Sequence, residues 1–259
     1  MNFIFQISKY ILKNAISDYK NSYKSSFLSY SWIIIHPLLL LIIYSFVFST
    51  ILQPRVDPNN GISYAVYLSV AILPWIVFSN AILQGTLSIS NNIYLIKKLN
   101  IPLYVYVTKE VLEQFLNMII VIILLFIFLY LNGISLSIKC FLSIVPFFCL
   151  FFFALGLSMF LASINIFFRD IEKAIGIFLQ MLMWVVPIVY PWDIVPKNFQ
   201  WVIFYDPLFY FFNSIREVLI FDHLINIKHY LIMIISSFSM FAIGLYTINR
   251  LESDIRDSI

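Results

Sequence analysis

Residues 114–138, QFLNMIIVIILLFIFLYLNGISLSI, run without a single Asp, Glu, Lys or Arg. A helix rises about 1.5 Å per residue, so about 20 such residues cover a hydrocarbon core roughly 30 Å thick. The stretch therefore reads as a complete membrane crossing. Five others share the property: Ser25–Pro54, Pro58–Ile96, Cys140–Phe168, Ala174–Trp192 and Tyr230–Asn249. Unpaired backbone groups cost several kcal/mol in hydrocarbon, which favours helices over barrel strands for spans this long and apolar. The pattern predicts an all-α membrane protein with six transmembrane helices.

Composition agrees with that prediction. Of 259 residues, 62% are hydrophobic and 11% charged, with 27 Phe, so too few charges exist to solvate the surface of a soluble globule. Six spans and short loops use up most of this length and leave no room for an independent soluble catalytic domain. Any energy source must then come from a partner. If the N-terminus is cytoplasmic, the inner segments hold Lys9, Lys13, Lys20, Lys24, Lys97, Lys98, Lys109, Arg169, Lys173, Arg250 and Arg256. The outer ones hold only Arg55, Lys139, Lys197, Arg216 and Lys228. That excess favours both termini in the cytoplasm by the positive-inside rule.

The chain divides into an N-terminal arm, residues 1–30, and a six-span domain, residues 31–259. Within the arm, Asn2–Lys24 reads as an amphipathic helix with its four lysines on one stripe and Ile4, Ile7, Ile11 and Ala15 opposite. Such a helix lies in the headgroup plane or packs on a partner, and the sequence fits both. The first span is expected over Trp32–Leu52 and is retained rather than cleaved, since no small-residue cleavage signature follows it. The second is expected over Tyr64–Leu87, broken at Leu73-Pro74-Trp75 by the missing amide donor. Residues 90–102 form a short basic segment that Pro102 can stop, expected to be a helix along the cytoplasmic face. Further spans are expected over Val107–Leu131, Phe141–Phe167 and Ala174–Pro187, the last short for a crossing, and over Tyr230–Asn249.

Between Tyr190 and Lys228 the pattern changes. Two apolar runs, Phe199–Tyr205 and Leu208–Ser214, are each far below spanning length and meet at Asp206-Pro207. They are expected as short re-entrant or interfacial helices hinged at that pair, within an outer segment of about 191–222. Trp192, Trp201, Tyr205 and Tyr210 are residue types that a membrane boundary attracts.

Enzymatic motifs are absent: no phosphate-binding G-x-x-x-x-G-K-[ST], no H-E-x-x-H and no G-x-S-x-G. His36, His223 and His229 are far apart and read as boundary or loop residues. Cys140 and Cys149, nine apart in the fourth span, lack metal-ligand spacing. Glu110 and Glu113 share a helix face near an N-terminus, where the macrodipole favours carboxylates and Lys97 or Lys98 can pair with them. No catalytic group, metal site, bound cofactor or nucleic-acid partner is expected. Aromatics, 19% of the chain, are more suggestive. Trp32, Tyr44, Trp75, Phe78, Trp184, Tyr190 and Trp192 crowd onto spans one, two and five, where flat faces could slide along sugar rings. For most of these aromatics taken singly, lipid-boundary belting or core packing is the better account, and only their crowding on particular spans argues for a conduit.

Several motifs in order resemble one family over nearly the whole chain. They are Ser26-Phe27-Leu28-Ser29-Tyr30-Ser31-Trp32 with Pro37, Leu73-Pro74-Trp75-Ile76-Val77-Phe78-Ser79, and Asn92-Ile93-Tyr94-Leu95-Ile96-Lys97-Lys98 with Ile101-Pro102. Phe168-Arg169-Asp170-Ile171, Pro187-Ile188-Val189-Tyr190-Pro191 with Val195-Pro196, and Asp206-Pro207 followed by Arg216 complete the set. The chain resembles the permease subunits of type-2 ATP-binding-cassette exporters of O-antigen, teichoic acid and related polysaccharides. It departs from them at Leu28-Ser29, where Leu-Gly is usual, and at Asp206-Pro207, where Asn-Pro is usual.

The resemblance implies a homodimer in the bacterial cytoplasmic membrane with two copies of a separate ATPase, which holds the ATP and Mg. It implies a coupling helix over about 90–102, with Asn92, Tyr94, Lys97, Lys98 and Pro102 as coupling residues beside Arg169 and Asp170. An external gate would contain Pro196, Trp201, Asp206, Pro207 and Arg216. A polyprenyl-pyrophosphate-linked glycan would pass between protomers, along aromatics such as those named above, as a step in lipopolysaccharide assembly. An exporter of drugs or lipids shares the six spans. A membrane-embedded transferase should show clusters of carboxylate and histidine, and a channel should show polar pore rings.

Overall fold

The computed structural model describes residues 15, 31–47, 55–57, 62–168 and 170–259. The amphipathic arm expected over residues 1–30 lies outside the described residues apart from Ala15, as does Arg169. Helix α1 (Ser31–Ser45) leads to strand β1 (Arg55–Asp57), which pairs antiparallel with β2 (Ile62–Ser63), Arg55 opposite Ser63. In this small ribbon the outgoing and returning legs of the loop satisfy part of each other's backbone, and the rest of the fold is helical as expected. There follow α2 (Tyr64–Asn91), α3 (Ile93–Lys98), α4 (Leu103–Leu131), a 3-10 turn (Ile138–Ser143) and α5 (Ile144–Asn165). Then come α6 (Asp170–Val185), a 3-10 turn (Trp192–Ile194), α7 (Gln200–Tyr205), α8 (Pro207–Leu219), α9 (Ile227–Arg250) and α10 (Glu252–Ser258).

Four helical segments among the described residues are long and apolar enough to cross a membrane: α2, α4, α5 with its preceding turn, and α9. The protein is a multi-pass, helical membrane protein. Where the first and fifth spans are expected, the described residues include helices α1 and α6, of 15 and 16 residues.

Helix α2 is the centre of the fold and is buried over most of its length. Ser63 caps it, its side chain accepting from Val66 N at 3.4 Å. Its hydroxyls are buried without cost to the bilayer because each bonds back to its own helix: Ser69 to Ala65 O at 2.6 Å, Thr86 to Ile82 O at 2.7 Å and Ser88 to Gly85 O at 2.7 Å. The sequence predicts a kink at Pro74, which lies inside the continuous helix α2. Pro74 is itself buried, so packing on neighbouring helices holds the turn that lacks its amide donor.

Small residues set the closest helix approaches. A Cβ on Gly244 of α9 would stand 2.0 Å from Gly156 O, and one on Gly156 of α5 would stand 2.3 Å from Met240 O. The two backbones touch, which is how helices gain packing in a solvent as apolar as their own side chains. Helix α4 ends in a Schellman turn: Gly133 takes φ 77°, Ile134 N donates to Leu129 O and Gly133 N to Tyr130 O, both at 3.1 Å.

Candidate functional site

At one end of the bundle a polar corner presents α3. Asn92 forms the corner: its Nδ2 donates to Ser88 O at 2.7 Å, and its carbonyl accepts from Leu95 N and Ile96 N at 2.9 and 3.0 Å. Its side chain thus reaches back along α2 rather than capping α3, and Ser90 and Asn91, whose types suit a cap, lie within α2. Ile96, 3% exposed, anchors α3 to the core, while Tyr94, Leu95 and Leu99 are turned outward with Lys97 and Lys98. Lys98 Nζ lies 4.0 Å from the Tyr94 ring centroid, a cation–π contact that holds one charge over the aromatic face. Pro102 is the N-cap of α4, and its carbonyl accepts from Val105 N at 3.1 Å.

Neighbouring helix ends are bonded to this corner. Asn165, at the end of α5, donates to Ser90 Oγ at 3.4 Å and accepts from Glu172 N of α6 at 3.2 Å. Asp170 stands exposed in the first turn of α6, where its charge suits the helix dipole. Arg256 of α10 pairs with Glu252 at 2.8 Å and donates to Ile101 O at 2.5 Å, fastening the C-terminal helix under the turn between α3 and α4. Glu110 pairs with the adjacent Lys109 at 3.3 Å rather than with Lys97 or Lys98. The sequence reading missed the roles of Asn165 and Arg256. For Arg256 a signal was present, the i, i+4 spacing from Glu252.

The opposite end holds the region expected as a gate. Two short helices, α7 and α8, meet at Asp206, whose Oδ1 accepts from Leu208 N at 2.9 Å; Pro207 occupies the first turn of α8. Arg216, 2% exposed on α8, is the hub. Its guanidinium carbon lies 3.9 Å from the Tyr67 ring centroid, Nη1 donates to Pro187 O at 2.8 Å, and Nη2 donates to Ile188 O. Tyr64 donates through its hydroxyl to Val189 O. The turn after α6 is therefore held by α2 and α8 together. A rigid fork with five donors suits such a cluster of carbonyls, which a lysine could not match.

The aromatics expected to line a pathway fall into groups. Trp75 and Phe78 are 3% and 0% exposed, and the Trp75 ring lies 5.6 Å from both Phe78 and Phe212. Rings buried within the chain have no face to offer a passing polymer, so these two are packing residues. Trp184 is 58% exposed on α6, and Tyr190 donates to its carbonyl at 2.5 Å. Trp192 packs edge-on against Phe204 at 5.6 Å. Trp201 and Tyr205 of α7 are both exposed. Pro196 begins the turn into α7, accepting from Phe199 N at 2.8 Å. The side chains of Trp32 and Tyr44 lie outside the described residues.

A membrane chain with an exposed, amphipathic turn at one end and paired short helices at the other can be compared with known proteins. The family described as ABC-2 type transporter matches residues 11–220. Two O-antigen export system permease proteins RfbA of Klebsiella pneumoniae are 30% and 29% identical over 237 residues, covering 91% of this chain and 89% of theirs. Another of that name from Myxococcus xanthus is 26% identical over 188 residues, 73% of this chain and 70% of its own. With the match running from the N-terminal arm to the end of α8, the chain belongs to the ABC-2 type transporter family.

Proposed function

We propose that this chain is the membrane-spanning permease subunit of an ATP-driven exporter that moves a lipid-linked polysaccharide, of the O-antigen class, across the bacterial cytoplasmic membrane. The observation that carries the reading is the resemblance along nine-tenths of the chain to permeases named for O-antigen export. The subunit has no phosphate-binding loop of its own, so hydrolysis belongs to two copies of a nucleotide-binding partner, and two copies of the permease form the conduit.

In this reading the α3 end is cytoplasmic. Tyr94, Leu95 and Leu99 supply an apolar contact, Lys97 and Lys98 its charged rim, and Asn92 and Pro102 the two rigid corners. Asp170, at the start of α6 with Arg169 before it in the sequence, supplies a second contact. Helices α1 and α6 complete six crossings. Helices α7 and α8 form the external gate, with Arg216 fixing the turn that follows α6. Trp184, Tyr190, Trp192 and Trp201 are the aromatics left with surface to meet sugar.

The test is replacement in a cell lacking its own O-antigen permease, supplied with this chain and a candidate nucleotide-binding partner from the same source. Restored surface polysaccharide, lost when the ATPase is omitted, is expected. Stable co-purification of the two with robust ATP turnover but no polysaccharide export would overturn the assignment of substrate. ATP turnover by the chain alone would overturn the division of labour.

A further inference from the structure

A half-open cavity of about 350 Å³ lies between α1, α2 and α4. Its polar lining comes from His36 of α1, Asn80 of α2, and Gln114 and Asn117 of α4; Leu73, Ile76 and Val121 are among its apolar neighbours. Asn80 lies eleven residues before the end of α2, and Asn117 fourteen after the start of α4. At about 1.5 Å per residue these are depths of about 16 and 21 Å, near the middle of each helix. Polar side chains at such depth are costly toward lipid and face a cavity or a partner. Asn117 donates to Gln114 at 3.4 Å, which orients two of the amides. His36 and Asn80 have no hydrogen-bond partner among the described residues. His36 stands within α1 rather than in a loop.

The chemistry of the lining selects its ligand. Among the described residues no Asp, Glu, Lys or Arg lines the cavity, and the lining they form lacks the fixed charge that a diphosphate or a metal ion would call for. Carboxamides and imidazole both donate and accept, as hydroxyl groups do. The apolar wall suits the C–H faces of sugar rings, and the volume falls within the roughly 300–1,000 Å³ of small-ligand sites. We propose that this cavity binds uncharged, hydroxyl-bearing sugar units of the exported polymer. The inference rests on the reading of the chain as a glycan permease and adds a site to it.

The experiment uses the full chain with its ATPase in polysaccharide-producing cells. Asn80→Leu and Asn117→Leu should each lower surface polysaccharide on the order of tenfold per membrane-embedded copy, about what one lost hydrogen bond to the sugar is worth, while Asn80→Ser should retain most of it. Separately, p-benzoylphenylalanine placed at Ile76, in the cavity wall, should cross-link to carbohydrate, and the same probe at the exposed Ile123 of α4 should not. This arm decides if a leucine variant fails to reach the membrane. Normal export by both leucine variants, or an Ile76 adduct containing only phospholipid, only carrier lipid or a second copy of the chain, would overturn the proposal. Absence of export by the unaltered chain would overturn the parent reading and this inference with it, whereas normal export with no carbohydrate adduct overturns the inference alone.

Discussion

Arg216 and Tyr67 are joined twice: the guanidinium lies 3.9 Å from the ring centroid, and Nε donates to the Tyr67 carbonyl at 3.4 Å. The same side chain reaches the carbonyls of Pro187 and Ile188. Arg216→Met removes every one of these donors and leaves buried acceptors unpaired, at about 1–3 kcal/mol each. We expect lower membrane abundance and a lower melting temperature in detergent. Arg216→Lys keeps the charge but loses the fork, and should recover little of the loss. Recovery of full thermal stability by Arg216→Lys would mean that the planar geometry is unimportant.

Trp75 and Trp184 are predicted to fail in opposite ways. Trp75→Ala opens a hole among Phe78 and Phe212 and should cost about 3–5 kcal/mol of stability, read as protein lost from the membrane. Trp184→Ala exposes no core, so the protein should accumulate normally while export falls. Normal export at normal abundance for Trp184→Ala would return that residue to the lipid boundary.

Glycines at three positions separate two kinds of constraint. Gly156→Ala and Gly244→Ala drive a methyl into a facing backbone, an overpacking of about 1–3 kcal/mol or more. At Gly133 no atom lies within 4 Å of the site a Cβ would take, and only φ 77° resists; Gly133→Ala should cost about 1–2 kcal/mol. Thermal melts of the three variants should rank accordingly, and a Gly244→Ala protein as stable as the parent would contradict the close approach.

Asp222 supplies a pH signature. Ser137 and Lys139 both hydrogen-bond its carboxylate, Lys139 at 2.8 Å, and these bonds, Lys139 first, hold its pKa below the ordinary value. Because the folded pKa is depressed, the contribution to stability is fully present above the unfolded value of about 3.9 and is lost as pH falls through the folded pKa. Asp222→Asn should therefore melt below the parent by a constant margin above about pH 4, and the margin should close at lower pH. A margin independent of pH across that window would show that charge plays no part.

Lys97 and Lys98 on α3 should act through sign rather than shape. Charge reversal at both, Lys97→Glu with Lys98→Glu, should weaken co-purification of the ATPase and uncouple its turnover from export. The loss should grow smaller at high salt, because exposed pairs are screened within about 8–10 Å at ordinary ionic strength. Unchanged affinity for the ATPase would remove the lysines from the interface.

What the sequence made legible was whatever depends on neighbours along the chain. The uncharged run at residues 114–138 lies within α4 and the turn after it, and Asp206-Pro207 marks the junction of α7 and α8. Lys97, Lys98 and Pro102 bracket the end of α3 as their types suggest. Hydropathy was less informative about ends: α2 continues four residues past the expected Leu87 to Asn91. What stayed hidden depends on distant partners. Arg216 bonds to carbonyls 28, 29 and 149 positions away, and the polar cavity assembles His36, Asn80 and Asn117 from three helices. A count of aromatics cannot tell Trp75, sealed in the core, from Trp184, facing outward, because both are Trp within an apolar run.

The contact of Gly156 with Gly244 also limits how the molecule can move. Two backbones separated by no side chain cannot slide continuously, since every intermediate offset meets a Cβ on one helix or the other; packed elements of this kind shift in discrete steps or not at all. Helices α5 and α9 should therefore travel as one rigid body through the transport cycle, leaving displacement to α1, α6 and the short helices around Arg216. Spin labels on α5 and α9 are expected to keep one separation with and without ATP, while labels on α6 and α9 change theirs.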